Sequence, residues 1–183
     1  MEFVILGLLM IRERTLYEMK KVLEDTISLF YSASFGSISS ALGKLLEKQW
    51  IVVQAQVEHG RNKKMYAITP AGATAFHAWL GSHIPSEKVK DPALTRLFFM
   101  GYLAPQQRIE VIENHVASLE AMYASLDLLE KQAAALAVPD KQQELAAFQR
   151  LTLHYGRDYY AFSIAWFKRL LTSLKEQEHD ADS

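Results

Sequence analysis

The sequence predicts a mainly α-helical protein that carries one small β-hairpin. Apolar residues recur with helical spacing along most of the chain, whereas residues 51–58 alternate between apolar and polar as a half-buried strand does. Half of the 183 residues are hydrophobic and 22% are charged, which is enough apolar material for a core and too little net charge for a disordered chain. We therefore expect a folded protein built mostly from helices.

Three helices are predicted before the hairpin. Residues 3–11 are apolar on nearly every face, which is typical of a buried helix. Thr15 and Glu18 have the spacing of a capping box, so a second helix is expected over residues 16–25. A third helix fits residues 36–48, and its outer face is small and rich in hydroxyl groups. That outer face consists of Ser37, Ser40, Gly43, Lys44 and Glu47.

A hairpin with a basic tip and a fourth helix follow. The strand at residues 51–58 precedes a second apolar run at 65–68, and residues 59–64 form the predicted tip. Thr69 and Pro70 supply an N-cap and a proline at the first helical position. The residues of this fourth helix that we expect to face inward are Phe76, Trp79 and Leu80.

The remaining residues predict three more helices. Loop composition at residues 81–86 marks a domain boundary, so the predicted domains are 1–81 and 87–176, with a polar tail at 177–183. Asp91-Pro92 and Pro105 begin the first two of these helices, and the last helix spans residues 141–175. The middle helix carries a heptad seam of Ile109, Ile112, Val116, Leu119, Tyr123 and Leu126.

These long helices predict a homodimer. The heptad seam and the aromatic-rich last helix expose more apolar surface than a single helical hairpin can bury, although the same residues could instead form an intrachain core. The predicted dimerisation residues are Leu119, Tyr123, Leu126, Tyr159, Phe162, Trp166 and Leu170.

This order of three helices and a hairpin is that of a winged helix, in which the third helix enters the major groove of DNA. The hairpin is called the wing. The net charge of −1 does not favour a nucleic-acid ligand by itself, but residues 1–80 hold nine Lys/Arg against seven Asp/Glu. A dimer would place two such domains on a palindromic site in double-stranded DNA. The predicted contacts are Ser37, Ser40 and Lys44 on the third helix and Arg61, Asn62, Lys63 and Lys64 at the wing.

Four stretches resemble the PadR family of transcriptional regulators: residues 5–9, 16–21, 34–42 and 60–72. The second half is similar to the longer helical C-terminal domain of the AphA-like subfamily. The resemblance implies a winged helix-turn-helix domain followed by a coiled-coil-like dimerisation domain, in a dimeric DNA-binding transcriptional regulator. It adds Tyr17, Ser34 and Ser39 to the expected DNA contacts. The family usually has a Tyr-Pro pair where this chain has Ser39-Ser40.

Aromatic residues near the domain boundary are candidates for an effector pocket, because aromatic walls suit a planar drug-like or phenolic molecule. The candidates are Phe35, Phe99, Tyr102 and Tyr160, which could equally be ordinary core residues. An alternative function is a winged-helix dimer that engages a protein or a small molecule and binds DNA little.

An enzyme, a metal site and a cofactor are not predicted. The chain has no cysteine, which removes thiolate chemistry and favours a cytoplasmic location. Its six histidines form no His-x-x-x-His pair, and no glycine-rich phosphate loop follows a strand. The apolar run near the N-terminus is too short to span a bilayer, so no membrane partner is expected.

Overall fold

The structure is a computed structural model that describes residues 1–24, 34–58, 61–86 and 91–181. Within these residues, the side chains of 56–58, 61, 62, 180 and 181 are not described. The chain divides into two compact units, Met1–Glu87 and Lys88–Ser183. Unit 1 contains α1 (Glu2–Ile11), α2 (Leu16–Val22), α3 (Phe35–Glu47), β1 (Ile51–Glu58), β2 (Arg61–Ile68) and α4 (Pro70–Leu80).

The core of unit 1 lies among α1, α2, α3 and the hairpin. Helix α1 buries Ile5 and Leu6 completely, as expected for a helix that is apolar on nearly every face. The face of α3 opposite the predicted outer face packs into this core, because Ile38, Ala41, Leu42 and Leu45 are all buried. Burial of each large side chain contributes about 1.5–3 kcal/mol, so this cluster fixes which face of α3 remains outside.

Helix α3 ends in a Schellman motif. Gln49 adopts the left-handed conformation with φ 56°, and its N–H donates to the Leu46 carbonyl at 3.0 Å. The N–H of Trp50 donates to the Leu45 carbonyl, also at 3.0 Å. The left-handed residue turns the chain directly from α3 into β1.

The two strands form an antiparallel hairpin whose register runs from Ile51 opposite Ile68 to Glu58 opposite Arg61. The predicted tip at residues 59–64 is therefore wrong for residues 61–64, which belong to β2; residues 59 and 60 lie outside the described part of the chain. The pairing extends further than the apolar pattern indicates because polar residues pair equally well in an exposed ladder. Arg14 adds a bridge, since its N–H donates to the Tyr66 carbonyl at 3.2 Å.

The N-terminus of α4 packs tightly against the end of α3. Thr69 caps α4 as predicted, because its Oγ1 accepts from the Gly72 N–H at 3.1 Å. A Cβ added at Gly72 would lie 2.0 Å from the Trp50 carbonyl oxygen, so only glycine permits this approach. Trp79 stacks on Phe3 with ring centroids 4.9 Å apart.

One predicted inward residue of α4 is wrong. Leu80 is 61% exposed, because it is the last residue of the helix and lies beyond the turn that packs on α1.

Unit 2 contains α5 (Pro92–Phe99), a 3₁₀ turn (Met100–Tyr102), α6 (Pro105–Ala135), a second 3₁₀ turn (Asp140–Gln142) and α7 (Gln143–Ala181). The predicted starts are confirmed: Asp91 Oδ1 accepts from the Ala93 N–H at 2.7 Å, and Pro105 occupies the first turn of α6. The expected end of the last helix at residue 175 is wrong, because no Gly or Pro interrupts residues 176–181. No helix in the described ranges is long and apolar enough to cross a membrane.

Helices α6 and α7 run antiparallel. Three ion pairs set their register: Lys175 Nζ to Glu113 Oε1 at 2.6 Å, Lys168 Nζ to Glu120 Oε1 at 2.6 Å, and Arg157 Nη2 to Asp127 Oδ1 at 3.3 Å. Gly156 brings α7 close to α6, since a Cβ there would lie 3.2 Å from Leu126 Cδ1. The buried cluster that joins the helices contains Met100, Ile112, Val116, Leu119 and Phe167.

Replacing Gly72 by alanine is expected to lower the free energy of unfolding by about 1–3 kcal/mol, because the new methyl group must displace a backbone carbonyl. Gly43→Ala is the matched control, since a Cβ there meets nothing within 4 Å and alanine favours a helix by up to about 1 kcal/mol. Urea denaturation followed by circular dichroism measures both. Equal midpoints for the two variants would show that the close approach does not require glycine.

Candidate nucleic-acid interface

The outer face of α3 is small, polar and exposed. Ser39, Ser40 and Lys44 are exposed and Ser37 is half-buried, on the side opposite the buried leucines. Gly43 lies on this face with open space around its Cα. Such short side chains allow a ligand to approach close to the helix backbone.

The N-terminus of α3 is held by two of the predicted DNA-contacting serines. Ser34 is the N-cap, and its Oγ accepts from the Ser37 N–H at 3.1 Å. The Ser37 hydroxyl in turn donates to the Ser34 carbonyl at 2.8 Å. A hydroxyl has one proton and two lone pairs, so Ser34 can still donate and Ser37 can still accept. Both residues therefore combine a capping role with exposed polar capacity.

Tyr17 projects from the first turn of α2 and is 72% exposed. The predicted capping box holds this turn: the Thr15 N–H donates to Glu18 Oε2 at 2.7 Å, and the Glu18 N–H donates to Thr15 Oγ1 at 3.2 Å. The hydrogen bond from the Thr15 backbone lowers the pKa of Glu18, and the nearby charges of Arg12 and Arg14 lower it further against the opposing effect of burial. The phenol is thus presented from a rigid helix start.

The wing places its lysines on opposite faces of the hairpin. Lys63 pairs with Gln56 and Lys64 pairs with Ala55, and successive strand residues point to opposite sides. Lys64 shares its face with the buried Tyr66. Arg61 and Asn62 are the first two residues of β2, and their side chains lie outside the described part. The sequence treats all four as one patch, whereas β2 places Lys63 and Lys64 on opposite faces.

The cations of unit 1 differ in whether they have acidic partners. Lys48 Nζ lies 2.6 Å from Glu2 Oε2, and Lys20 Nζ lies 3.4 Å from Glu24 Oε1. Lys44 on α3 and Lys64 on the wing form no ion pair with any described residue. Their charges are therefore available to an external anion such as phosphate.

The predicted dimerisation residues divide into a buried and an exposed set. Leu119 and Leu126 are buried within the chain, so they cannot contact a second copy. Tyr123 packs against Arg157, and Trp166 and Leu170 pack on the core of unit 2. Only Tyr159 and Phe162 are exposed. The heptad spacing identifies an apolar face, but it does not say whether that face meets its own chain or another.

Helix α7 has a second apolar face that is largely exposed. It consists of Phe148, Leu151, Tyr155, Tyr159 and Phe162, whose side chains are between 45% and 75% exposed. The spacing of these residues keeps them on one side of the helix. We call them the aromatic face of α7. Three of them were not among the predicted dimerisation residues, although their spacing was visible in the sequence.

The predicted effector residues do not line a described cavity. Tyr102 is 92% exposed, and Phe99 is also exposed. Tyr160 packs edge to face on Tyr159, and Phe35 belongs to the other unit. Unit 2 instead has a cleft of about 520 Å³ between α5, α6 and α7, and none of these four residues lines it.

A smaller cleft of about 330 Å³ lies beside a charged network on α6 and α7. His154 Nε2 lies 2.9 Å from Glu130 Oε1, and Arg157 pairs with both Glu130 and Asp127. A hydrogen bond with Tyr123 raises the pKa of Arg157, and the charge of Glu130 raises it further. Among the described residues, no group of three or more His, Asp or Glu side chains could hold a metal ion.

A three-helix core with a two-stranded wing, followed by a unit built on an antiparallel helical hairpin, defines a winged-helix protein with a helical C-terminal domain. The family model described as "Transcriptional regulator PadR-like family" matches residues 5–78. The model described as "Virulence activator alpha C-term" matches residues 89–175. Residues 5–78 thus match the PadR-like family of transcriptional regulators, and residues 89–175 match the C-terminal domain of the virulence-activator type.

The relatives agree with this assignment. The negative transcriptional regulator PadR of Bacillus subtilis is 27% identical over 128 residues, which are 69% of this chain and 70% of that protein. The structure of B. subtilis PadR in complex with operator DNA matches 94% of this chain and 98% of that chain with a TM-score of 0.81 and 23% identity.

Two further structures share the fold. B. subtilis PadR in complex with p-coumaric acid matches 95% of this chain and 94% of that chain, with a TM-score of 0.78 and 24% identity. The Vibrio cholerae virulence activator AphA matches 96% of this chain and 98% of that chain, with a TM-score of 0.74 and 25% identity.

Glu18→Gln is expected to destabilise unit 1 at neutral pH by less than about 1 kcal/mol, the usual range for a weakened cap. Because the folded pKa of Glu18 is lowered, its charge stabilises the fold above the unfolded pKa, and this contribution is lost as the pH falls through the folded pKa. The difference from wild type should therefore shrink below a pH of about 4.

Thermal unfolding between pH 7 and pH 3 measures this difference, with Glu13→Gln as the control for the loss of one acidic charge. A difference from wild type that grows on acidification would contradict the assigned role of the Glu18 carboxylate.

Proposed function

We propose that this chain is a cytoplasmic, homodimeric transcriptional regulator that binds double-stranded DNA through α3 and the wing. The observation that carries the proposal is the small outer face of α3, where Ser40 and Lys44 are exposed on a rigid three-helix core. The match of residues 5–78 to the PadR-like family model supports it, as does the operator complex of B. subtilis PadR. This role needs no catalytic residue, metal or cofactor, and we propose none.

The two parts of the interface have different tasks. Arg61, Lys63 and Lys64 would neutralise phosphates and set the position of the protein on the duplex, without reading sequence. On α3, serine hydroxyls can donate or accept at base edges, and Lys44 can contact the acceptor edge of guanine. Asn62 would join the wing contacts, and Tyr17, Ser34 and Ser39 would add contacts around the groove. Because Ser40 and Gly43 are small, the helix can lie deep in the major groove.

Dimerisation would occur through the aromatic face of α7. Five apolar side chains that are exposed side by side on one helix face form a contiguous apolar patch of the kind that marks protein–protein interaction sites. Self-association of this face would be two-fold symmetric and would present two copies of α3 to inverted half-sites. The expected operator is therefore a palindrome.

A small aromatic effector would regulate binding. B. subtilis PadR has been solved in complex with p-coumaric acid, which is an aromatic acid. A ligand that binds unit 2 more tightly in one dimer arrangement than in another would shift the separation of the two DNA-binding helices. The effector would then change the affinity of the protein for the operator without itself contacting DNA.

Lys64→Ala is expected to weaken binding to all DNA sequences and to reduce the slope of log affinity against log salt by about one, because one phosphate contact is lost. Lys44→Ala is expected to reduce the preference for the operator over scrambled DNA by about 5- to 100-fold, because it removes a base contact. Fluorescence anisotropy at several salt concentrations measures both quantities.

Lys141→Ala is the matched control, since it removes an exposed lysine from unit 2. If all three variants bind like wild type, the assigned interface is wrong. Weak, equal binding of the wild type to operator and scrambled DNA would instead favour a winged-helix module for a protein or small-molecule partner.

Phe162→Asp is expected to convert the dimer to a monomer at micromolar concentration, because a charge in an apolar interface loses its hydration. Leu128→Asp is the control, since Leu128 is similarly exposed but lies on α6, away from the aromatic face. Light scattering after size-exclusion chromatography gives the mass, and circular dichroism checks that both variants are folded. A Phe162→Asp protein that remains a dimer would exclude the aromatic face as the interface.

A further inference from the structure

We propose that the guanidinium of Arg14 binds a phosphate of the DNA backbone beside the start of α2. This residue lies in unit 1, between α1 and α2, and it is not among the contacts that the proposed function uses. The inference rests on the proposed function, because it adds one contact to the same DNA interface. It is carried by a buried positive charge for which the described part of the fold supplies no acidic partner.

Arg14 is only 7% exposed, and arginine is rarely buried to this extent unless it is paired. Its side chain forms no ion pair or hydrogen bond with any residue that the structure describes. Of the three guanidinium nitrogens, Nε alone is enclosed without a partner, so the two terminal nitrogens keep some access to the surface. Removing an unpaired charge from water is costly. An external anion is therefore the group that this side chain lacks.

The surroundings of Arg14 do not neutralise its charge. Burial lowers the pKa of Arg14, the charge of Arg12 lowers it further, and only the charge of Glu18 raises it. Glu18 is engaged by other groups: its Oε2 accepts from the Thr15 N–H at 2.7 Å and from the Thr15 hydroxyl at 3.0 Å, and its Oε1 lies 3.7 Å from Arg12 Nη2. Because arginine stays protonated at neutral pH, Arg14 carries a full positive charge without a paired carboxylate.

The backbone of Arg14 fixes this residue between two elements of the proposed DNA interface. Its N–H donates to the Tyr66 carbonyl at 3.2 Å, and its carbonyl accepts from the Tyr66 N–H at 3.0 Å. Residues paired in this way place their side chains on the same side of a sheet, and Lys64 shares that side. Along the chain, Arg14 directly precedes Thr15, which caps the helix whose first turn presents the exposed Tyr17. Arg14 therefore connects the wing with the start of α2.

This position suits a phosphate of bound DNA. In a helix-turn-helix, the helix before the recognition helix crosses the DNA backbone. Helix α2 is that helix here, so its start would face phosphates when α3 occupies the major groove. A guanidinium binds a phosphate through two parallel hydrogen bonds, and it is more weakly hydrated than an ammonium group, so it suits a site with little water. Arg14 would thus position the protein on the duplex without reading its sequence.

Arg14→Met tests the proposal, because methionine is also a long, unbranched side chain but carries no charge. Fluorescence anisotropy with a labelled duplex of random sequence should show binding of the full chain weakened by about tenfold, since a charged hydrogen bond is lost. The slope of log affinity against log salt should fall by about one. The urea midpoint of unfolding should be at least that of wild type, because an unpaired buried charge is removed. Arg14→Lys keeps a charge and should retain the salt slope of wild type.

Arg150→Met is the matched control, because it removes an exposed arginine of α7 and should bind DNA like wild type. The proposal is overturned if Arg14→Met keeps the affinity and salt slope of wild type, or if Arg14→Lys loses the slope as Arg14→Met does. It is also overturned if Arg14→Met unfolds at a clearly lower urea concentration, since the fold itself would then use the charge. A wild type that binds no duplex would contradict the proposed function and this inference with it. A wild type that binds with the same slope as every variant would contradict this inference alone.

Discussion

The contact between α4 and the end of α3 holds the DNA-binding unit together. Thr69 donates from its N–H to the Trp50 carbonyl at 3.0 Å and from its hydroxyl to the Gln49 carbonyl at 2.9 Å. Gly72 allows α4 to approach that same Trp50 carbonyl, where any side chain would clash. Because Trp50 lies in the short turn between α3 and β1 and Thr69 directly follows β2, these bonds tie the turn after the recognition helix to the base of the wing. These bonds thereby keep the outer face of α3 and the cations of the wing at a fixed separation. A fixed separation is needed because the major groove of DNA has a nearly constant width.

In unit 2, different faces of α7 make different contacts. One face packs on α6, where Gly156 permits close approach and ion pairs at both ends fix the register. Another is the aromatic face, which we propose as the contact with a second copy of the chain. Phe167 belongs to the first face and also lines the large cleft. A single helix therefore joins the core, the proposed interface and this cleft, so a change at one of them can reach the others.

Local features of the structure follow directly from the sequence. The capping box of Thr15 and Glu18, the Thr69 cap and the proline at residue 105 are determined by a few neighbouring residues, and all three are present as predicted. The buried face of α3 is equally predictable, because helical spacing alone defines it. The order of three helices, a hairpin and a helix was sufficient to predict the winged-helix fold.

Features that depend on distant residues were not predictable. Leu119 and Leu126 have the spacing of a dimer seam, yet α7 covers them within the chain. The lysines of the wing were assigned to a turn, because strand pairing between polar residues leaves no apolar pattern. The large cleft brings together Arg96, His115 and Phe167, which are far apart in the sequence and share no motif. The effector-pocket candidates were chosen because they lie near the domain boundary, and they include exposed aromatic residues that do not line this cleft.

We propose that a two-fold dimer reads DNA with two copies of α3. Selection of bound fragments from a pool of random duplex DNA, followed by sequencing, tests it most directly. We expect enrichment of two inverted half-sites whose centres lie about one helical turn, or a multiple of it, apart. Enrichment of a single unpaired half-site would contradict the dimer, and a pool without any enriched sequence would contradict the DNA-reading role itself.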